Sequence, residues 1–161
     1  AAGRLDVRRI EDSIQAVGLN IASCSKGATS TTEVAAFPGR ITLVEGVLRH
    51  HETPTFGSSK HLASVLIDSH AIDPSKVSIL NIRPPLSDSS VNRTHVEKVC
   101  KQLGYNFSVA PKGKVSSQEP KMDVLLDEGD IGWEPTLYVL AHNPLDLIDR
   151  THQLLSALGA E

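Results

Sequence analysis

The run Glu134-Pro135-Thr136-Leu137-Tyr138-Val139-Leu140-Ala141-His142-Asn143-Pro144 leads straight into a leucine-rich stretch from Leu145 to Leu158, and this junction constrains the fold more than any other part of the chain. Strand-forming and apolar residues closed by Asn-Pro, then followed by helical periodicity, predict one buried strand that delivers His142 and Asn143 to the mouth of a helix. Asn143 is suited to cap that helix, and Pro144 fits its first position. Asp146 falls in the first turn, where the helix dipole favours an anion.

Upstream, Leu5, Val7, Ile10, Ile14 and Val17 recur at helical spacing and stop at Gly18. Leu19 to Cys24 reads as a strand, Ser25 to Thr32 as a polar loop or a frayed helix start, and Arg40 to Leu48 as a second strand, bulged at Gly46. His50 to Gly57 is expected to be surface loop. Ser58 or Ser59 is placed to cap a helix that buries Leu62, Ala63, Val65 and Leu66 and runs to about His70. Val77 to Ile82 is a compact strand, which Arg83-Pro84-Pro85 ends because proline gives neither a ladder N–H nor a helical one. A helix after Asp88 to Ser90 carries Val96, Val99, Cys100 and Leu103 and stops at Gly104; Tyr105 to Ala110 and Met122 to Leu126 follow as strands. Lys112 to Gln118 and Asp127 to Asp130 read as mobile loops, the second a solvated acidic turn. Strands alternating with helices from Val77 onward predict one α/β domain over residues 1–161: three layers, a largely parallel sheet of about five strands, and helices on both faces.

Sixteen Lys and Arg stand against 19 Asp and Glu, for a formal charge of -3, so the chain lacks the global positive field that phosphate-backbone binding needs. Nucleic acid is disfavoured as a partner. The longest apolar runs, Leu137 to Ala141 and Val77 to Leu80, fall short of the roughly 20 residues of a membrane helix. Cys24 and Cys100 lack any framework spacing, which favours reduced thiols and an intracellular, reducing compartment, cytoplasm or organelle matrix. Ala1 fits a processed precursor or a trimmed boundary equally well.

In an open parallel sheet, ligands bind where loops leave the C-terminal ends of the strands. That rim would gather Cys24 and Lys26, Asn81 and Arg83, and His142 and Asn143. The catalytic candidates are Cys24 as nucleophile and His142 as base. Lys26, Gly27, Thr29, Arg83 and Asn143 are the candidates for holding an anionic ligand. The plainer reading of the same residues is a packed thiol, a hydrogen-bonded histidine and an ordinary loop. Ser25 to Thr32 is not a Walker loop, since Lys26 precedes Gly27. It is not a cysteine phosphatase loop either, since Ser30 stands where the arginine belongs.

No metal site is expected. Pro54 follows His51-Glu52, so a helical H-E-x-x-H cannot form, and His61 and His70 lie on about opposite sides of their helix. No cofactor motif is complete. Trp133, the sole tryptophan, suits a partner anchor or a lid over the last strand.

The order from Leu62 to Leu155, carried by Leu103-Gly104 and by Pro135-Thr136-Leu137-Tyr138 with His142, resembles the sensitivity-to-red-light-reduced protein family. The chain departs from that family's pattern in having Arg83-Pro84 after the central strand, fewer aromatics and a longer Lys112 to Gly132 segment. The resemblance implies a regulatory role without a defined reaction. Together with the lack of a complete catalytic motif, it makes a non-catalytic regulatory or assembly subunit with a protein partner the preferred expectation. The alternative is a small enzyme or ligand-binding domain acting on an anionic small molecule at the C-terminal edge of the sheet.

Overall fold

The computed structural model describes residues 19–39, 41–45, 47–50, 52–87, 90–116 and 120–159. The expected helix from Leu5 to Val17 and the bulge at Gly46 lie outside them. In chain order the strands are β1 (Ile21–Ser23), β2 (Ala35–Ala36), β3 (Thr42–Val44), β4 (Val47–Arg49), β5 (Thr55–Phe56), β6 (Ser78–Ile82), β7 (Leu86–Ser87), β8 (Ser90–Val91), β9 (Phe107–Val109), β10 (Val124–Asp127) and β11 (Thr136–Ala141). The helices are α1 (Lys60–Ile72), α2 (Arg93–Leu103) and α3 (Pro144–Leu158).

One seven-stranded sheet runs in the order β5-β2-β1-β6-β11-β10-β9, beside the small hairpins β3-β4 and β7-β8. The sheet has seven strands and is mostly antiparallel, not the largely parallel sheet of about five strands expected from the sequence. Among the described residues only β9 and β10 run parallel, and every other neighbouring pair in the large sheet is antiparallel. The physical reason is that β6 and β11, at the centre, are buried along their whole length. Burial on both faces removes the alternation that ordinarily marks an antiparallel strand, so the sequence imitates the continuous apolar run of a parallel one.

Helices do cover both faces. Leu80, Ile82, Leu126, Leu137 and Val139 pack with Val96, Val99 and Cys100 of α2 and Leu147, Ile148 and Leu154 of α3. Ile79, Leu125, Tyr138 and Leu140 face Leu62, Ala63, Val65 and Leu66 of α1 on the other side. Asn143 accepts from the Asp146 N–H and caps α3 as its position predicts, and Gly104 adopts the left-handed conformation that ends α2. Where one strand is expected from Arg40 to Leu48, the described residues form the antiparallel pair β3 and β4, and Glu45, just after β3, has a φ of 51°. Likewise the His50 to Gly57 segment adds the edge strand β5. No helix among the described residues is long and apolar enough to cross a membrane.

Where α1 ends, a buried ionic cluster ties the layers together. Lys76 Nζ lies 2.8 Å from Asp73 and 3.1 Å from Asp123, and Arg150 of α3 lies 2.7 Å from the same Asp123 oxygen. The other Asp123 oxygen accepts from both the backbone and the side-chain N–H of Asn106. Burial alone would raise the Asp73 pKa, but hydrogen bonds from Lys76, Ser75 and the Met122 N–H outweigh it and bring it down to about 2. Asp123 is shifted down by the same balance, burial being overcome by Asn106, Arg150 and Lys76. Both carboxylates are thus more acidic folded than unfolded. Their stabilisation is complete above the unfolded carboxylate value of about 3.9 and is lost as pH falls toward the folded values. Melting temperature followed by circular dichroism should hold from pH 6 to about 4.5 and fall steeply below about 4. A flat profile down to pH 3 would contradict this assignment.

Candidate functional site

The strand directions separate the residues that a parallel sheet would have gathered. Since β6 runs antiparallel to both β1 and β11, Ser23 and Ala141 each pair with Ser78 at the start of β6. Cys24, Lys26, His142 and Asn143 therefore lie at one end of the sheet, and Asn81 and Arg83 at the other, across a strand of roughly 16 Å. At the first end His142 donates from Nδ1 to the Ser75 carbonyl at 3.0 Å. Cys24 lines a separate shallow cleft with Thr32, Glu33, Ala35 and Phe56. Burial, and then the Glu33 carboxylate, push the Cys24 thiol above its ordinary pKa, the reverse of what activates a nucleophile. Burial chiefly, with Asp123 and Glu97, pushes Cys100 up to about 12. In the loop, the Thr29 N–H donates to the Glu33 carboxylate at 3.3 Å, and the Lys26 carbonyl lies 2.8 Å from His70 Nε2. A side chain at Gly27 would meet nothing within 4 Å, so no close approach of backbone requires glycine there.

At the opposite end the structure assembles a cleft of about 280 Å³. Its floor is the α1 face of the sheet. Tyr138 pairs with Asn81, Thr136 pairs with Asp127, and Asn20 continues β1 beside Asn81, whose side-chain oxygen accepts the Asn20 N–H at 2.7 Å. The Asn20 side chain is committed to the Phe37 backbone, accepting its N–H and donating to its carbonyl, which fixes the floor from the β2 side. One wall is the first turn of α1, with Ser59, His61 and Leu62. There His61 Nε2 lies 2.9 Å from the Tyr138 hydroxyl. Ser59, the N-cap, makes no side-chain capping bond. A helix leaves its first N–H groups without intrahelical partners, and its N-terminus carries partial positive charge.

The facing wall is the turn between β10 and β11, which presents Gly132, Trp133 and Glu134. Asp127 belongs to β10 and is 1% exposed, so it is a buried carboxylate and not part of a solvated acidic turn. It accepts the Gly129 N–H at 3.0 Å and the Trp133 indole N–H at 2.7 Å. The indole and the His61 imidazole meet nearly perpendicular, with centroids 5.6 Å apart. Gly113 (φ 74°) closes the back of the site: a Cβ there would sit 2.5 Å from His61 Cε1. Beyond the same turn, Lys112 and Lys114 face Asp127, Glu128 and Asp130 across a second cleft of about 400 Å³.

A family model described as thiamine-phosphate synthase ThiN matches residues 2–153. The chain belongs to this family. Two solved structures share its fold. The C-terminal domain of a phosphomethylpyrimidine kinase superposes with a TM-score of 0.72 at 22% identity, covering 89% of this chain and 88% of that one. The C-terminal domain of protein MJ0236 superposes with a TM-score of 0.69 at 21% identity, covering 89% and 83%. No curated protein matches the chain.

Two expectations are overturned by the family match. The resemblance to the sensitivity-to-red-light-reduced family over Leu62 to Leu155 gives way to ThiN, whose model spans those residues. Leu103-Gly104 and Pro135-Thr136-Leu137-Tyr138 are a helix stop and a strand entry, features that many α/β chains need. The regulatory or assembly subunit gives way to a domain of the synthase type, which the alternative of a small enzyme or ligand-binding domain anticipated better. In the sequence His61 stands out only as half of a metal pair, and Trp133 only as an anchor or lid. The available signal was local: a histidine two residues past an N-cap serine, and Gly-Trp-Glu-Pro opening the most strongly marked strand of the chain.

Proposed function

We propose that this chain makes thiamine phosphate and that the His61–Tyr138–Trp133 cleft is where it does so. The observation that carries the reading is the His61 to Tyr138 hydrogen bond set in the first turn of α1, opposite an aromatic wall. Thiamine phosphate is a planar aminopyrimidine joined through a methylene to a thiazolium that bears a phosphate arm. Its recognition therefore calls for flat aromatic surface, amide or hydroxyl partners and a place for an anion. Trp133 and His61 supply the surface, and Asn81, Thr136 and Tyr138 supply polar groups. The amino end of α1 suits the phosphate, because N–H groups and helix dipole point the same way. His61 and Tyr138, sharing one hydrogen bond, are able to hand a proton to a ligand oxygen at that spot. The anionic small molecule expected from the sequence is retained, but at the end of the sheet that carries Asn81 and Arg83.

The test is synthesis in solution. Purified protein is incubated with a phosphorylated thiazole and a pyrimidine whose methylene carries a diphosphate, which leaves as the thiazole nitrogen bonds to that carbon, and thiamine phosphate is measured by oxidation to its fluorescent thiochrome. Turnover dependent on the protein supports the reading. No turnover, together with no binding of thiamine phosphate in equilibrium dialysis, would overturn it.

A further inference from the structure

Trp133 is held in an unusual way for a surface aromatic. Its indole N–H, the polar end that would otherwise seek water, is turned inward onto the buried Asp127 carboxylate. The turn that carries it is closed on itself, since a Cβ at Gly129 would come within 2.7 Å of the Trp133 carbonyl. The ring is thus a fixed wall, 37% exposed. A carboxylate that accepts from the indole N–H adds electron density to the ring and makes its face more negative, which is the property that attracts cations. Glu134, the next residue, lines the same cleft with a full negative charge. Among the described residues no lysine or arginine lines it.

We propose that Trp133 and Glu134, with Asp127 behind the indole, form a subsite selective for a positively charged heteroaromatic ring. This deepens the reading above and rests on it: in thiamine phosphate that ring is the thiazolium, while the anionic arm reaches toward the amino end of α1. A neutral ring of the same shape fills the space but forgoes the attraction to the indole face and to the carboxylate. Trp133 and Glu134 are therefore specificity-determining residues, and Asp127 is a positioning residue that acts through the indole.

The experiment compares two ligands that differ only in ring charge: thiamine phosphate and its isostere in which a neutral thiophene replaces the thiazolium. Both are titrated into the intact chain by equilibrium dialysis, with the fluorescence of Trp133, its sole tryptophan, followed in parallel. The cationic ligand should bind roughly fivefold to thirtyfold more tightly and change the fluorescence. Trp133→Leu and Glu134→Gln, both at exposed positions, should each bring the two affinities closer together, and Asp127→Asn should do so in part. Equal affinity of the unaltered protein for the two ligands overturns the proposal, a result that needs no variant to fold. So does a preference that survives both Trp133→Leu and Glu134→Gln. Binding of both ligands without discrimination leaves the synthase reading standing, whereas binding of neither removes this subsite and, where turnover is absent as well, the synthase reading with it.

Discussion

On the proposed reading, replacing His61 by alanine is expected to lower the rate of thiamine phosphate formation about a hundredfold, the lower end of what a positioned acid–base group contributes. The protein stays folded, because His61 lies on the exposed first turn of α1 and its removal opens no core cavity. Tyr138 is 2% exposed and packs within the sheet, so losing its imidazole partner costs about 1 kcal/mol of stability. The two effects separate cleanly: activity collapses while the melting temperature falls by a few degrees at most. Gly113→Ala should act on the same group from behind. Its φ of 74° strains any L side chain, and its Cβ would press on the imidazole at 2.5 Å, so the ring must leave Tyr138. Turnover measured beside thermal melts decides the matter. His61→Ala with undiminished turnover would remove the histidine from the reaction.

The largest effect on stability is expected at Asp123. Asp123→Ala strips the acceptor from Lys76, Arg150 and both Asn106 donors, and Lys76 is 5% exposed at its side chain. Breaking a buried pair from one side costs about 3–5 kcal/mol, because the charge left behind cannot recover its hydration. For a chain of this size that lowers the melting temperature by roughly 10 °C. Asp73 leaves Lys76 a second partner at 2.8 Å, which sets the expectation toward the lower end of the range. Chemical denaturation of wild type and variant measures the difference directly. A change below about 1 kcal/mol would mean the cluster is hydrated and contributes as a surface pair does.

The elements were legible where local chemistry decides them. The strand from Thr136 to Ala141 and the helix from Pro144 carry their own boundaries in Pro135 and in Asn143-Pro144, and Gly104 stops α2 by its tolerance of positive φ. Strand direction was not legible from apolar content, because Leu80 and Val139 are buried on a two-sided sheet whatever the sense of the strand. A distance argument was nevertheless available. Parallel neighbours need a crossover of a dozen or more residues, and only 128–135 separate β10 from β11. That spacing calls for a β10–β11 hairpin, so one antiparallel pair was readable, whereas the reversal of β6 against β1 and β11, which splits the rim, joins segments far apart in sequence and carries no such mark. The proposed cleft was hidden for the same reason: with β11 reversed against β6, its start and not its end lies beside Asn81, which brings Trp133 and Glu134, and not His142 and Asn143, to that end of the sheet. The link between Asp127 and Trp133 spans six residues of turn, and no periodicity reports it.

The most direct test of the account is a map of backbone and indole N–H chemical shifts as thiamine phosphate is titrated into the labelled protein. Shifts concentrated at Ser59, His61, Asn81 and the Trp133 indole are expected, with Cys24, Lys26 and His142 unmoved. Shifts concentrated instead around Cys24 and His142 would place the ligand at the other end of the sheet and contradict the assignment of the cleft.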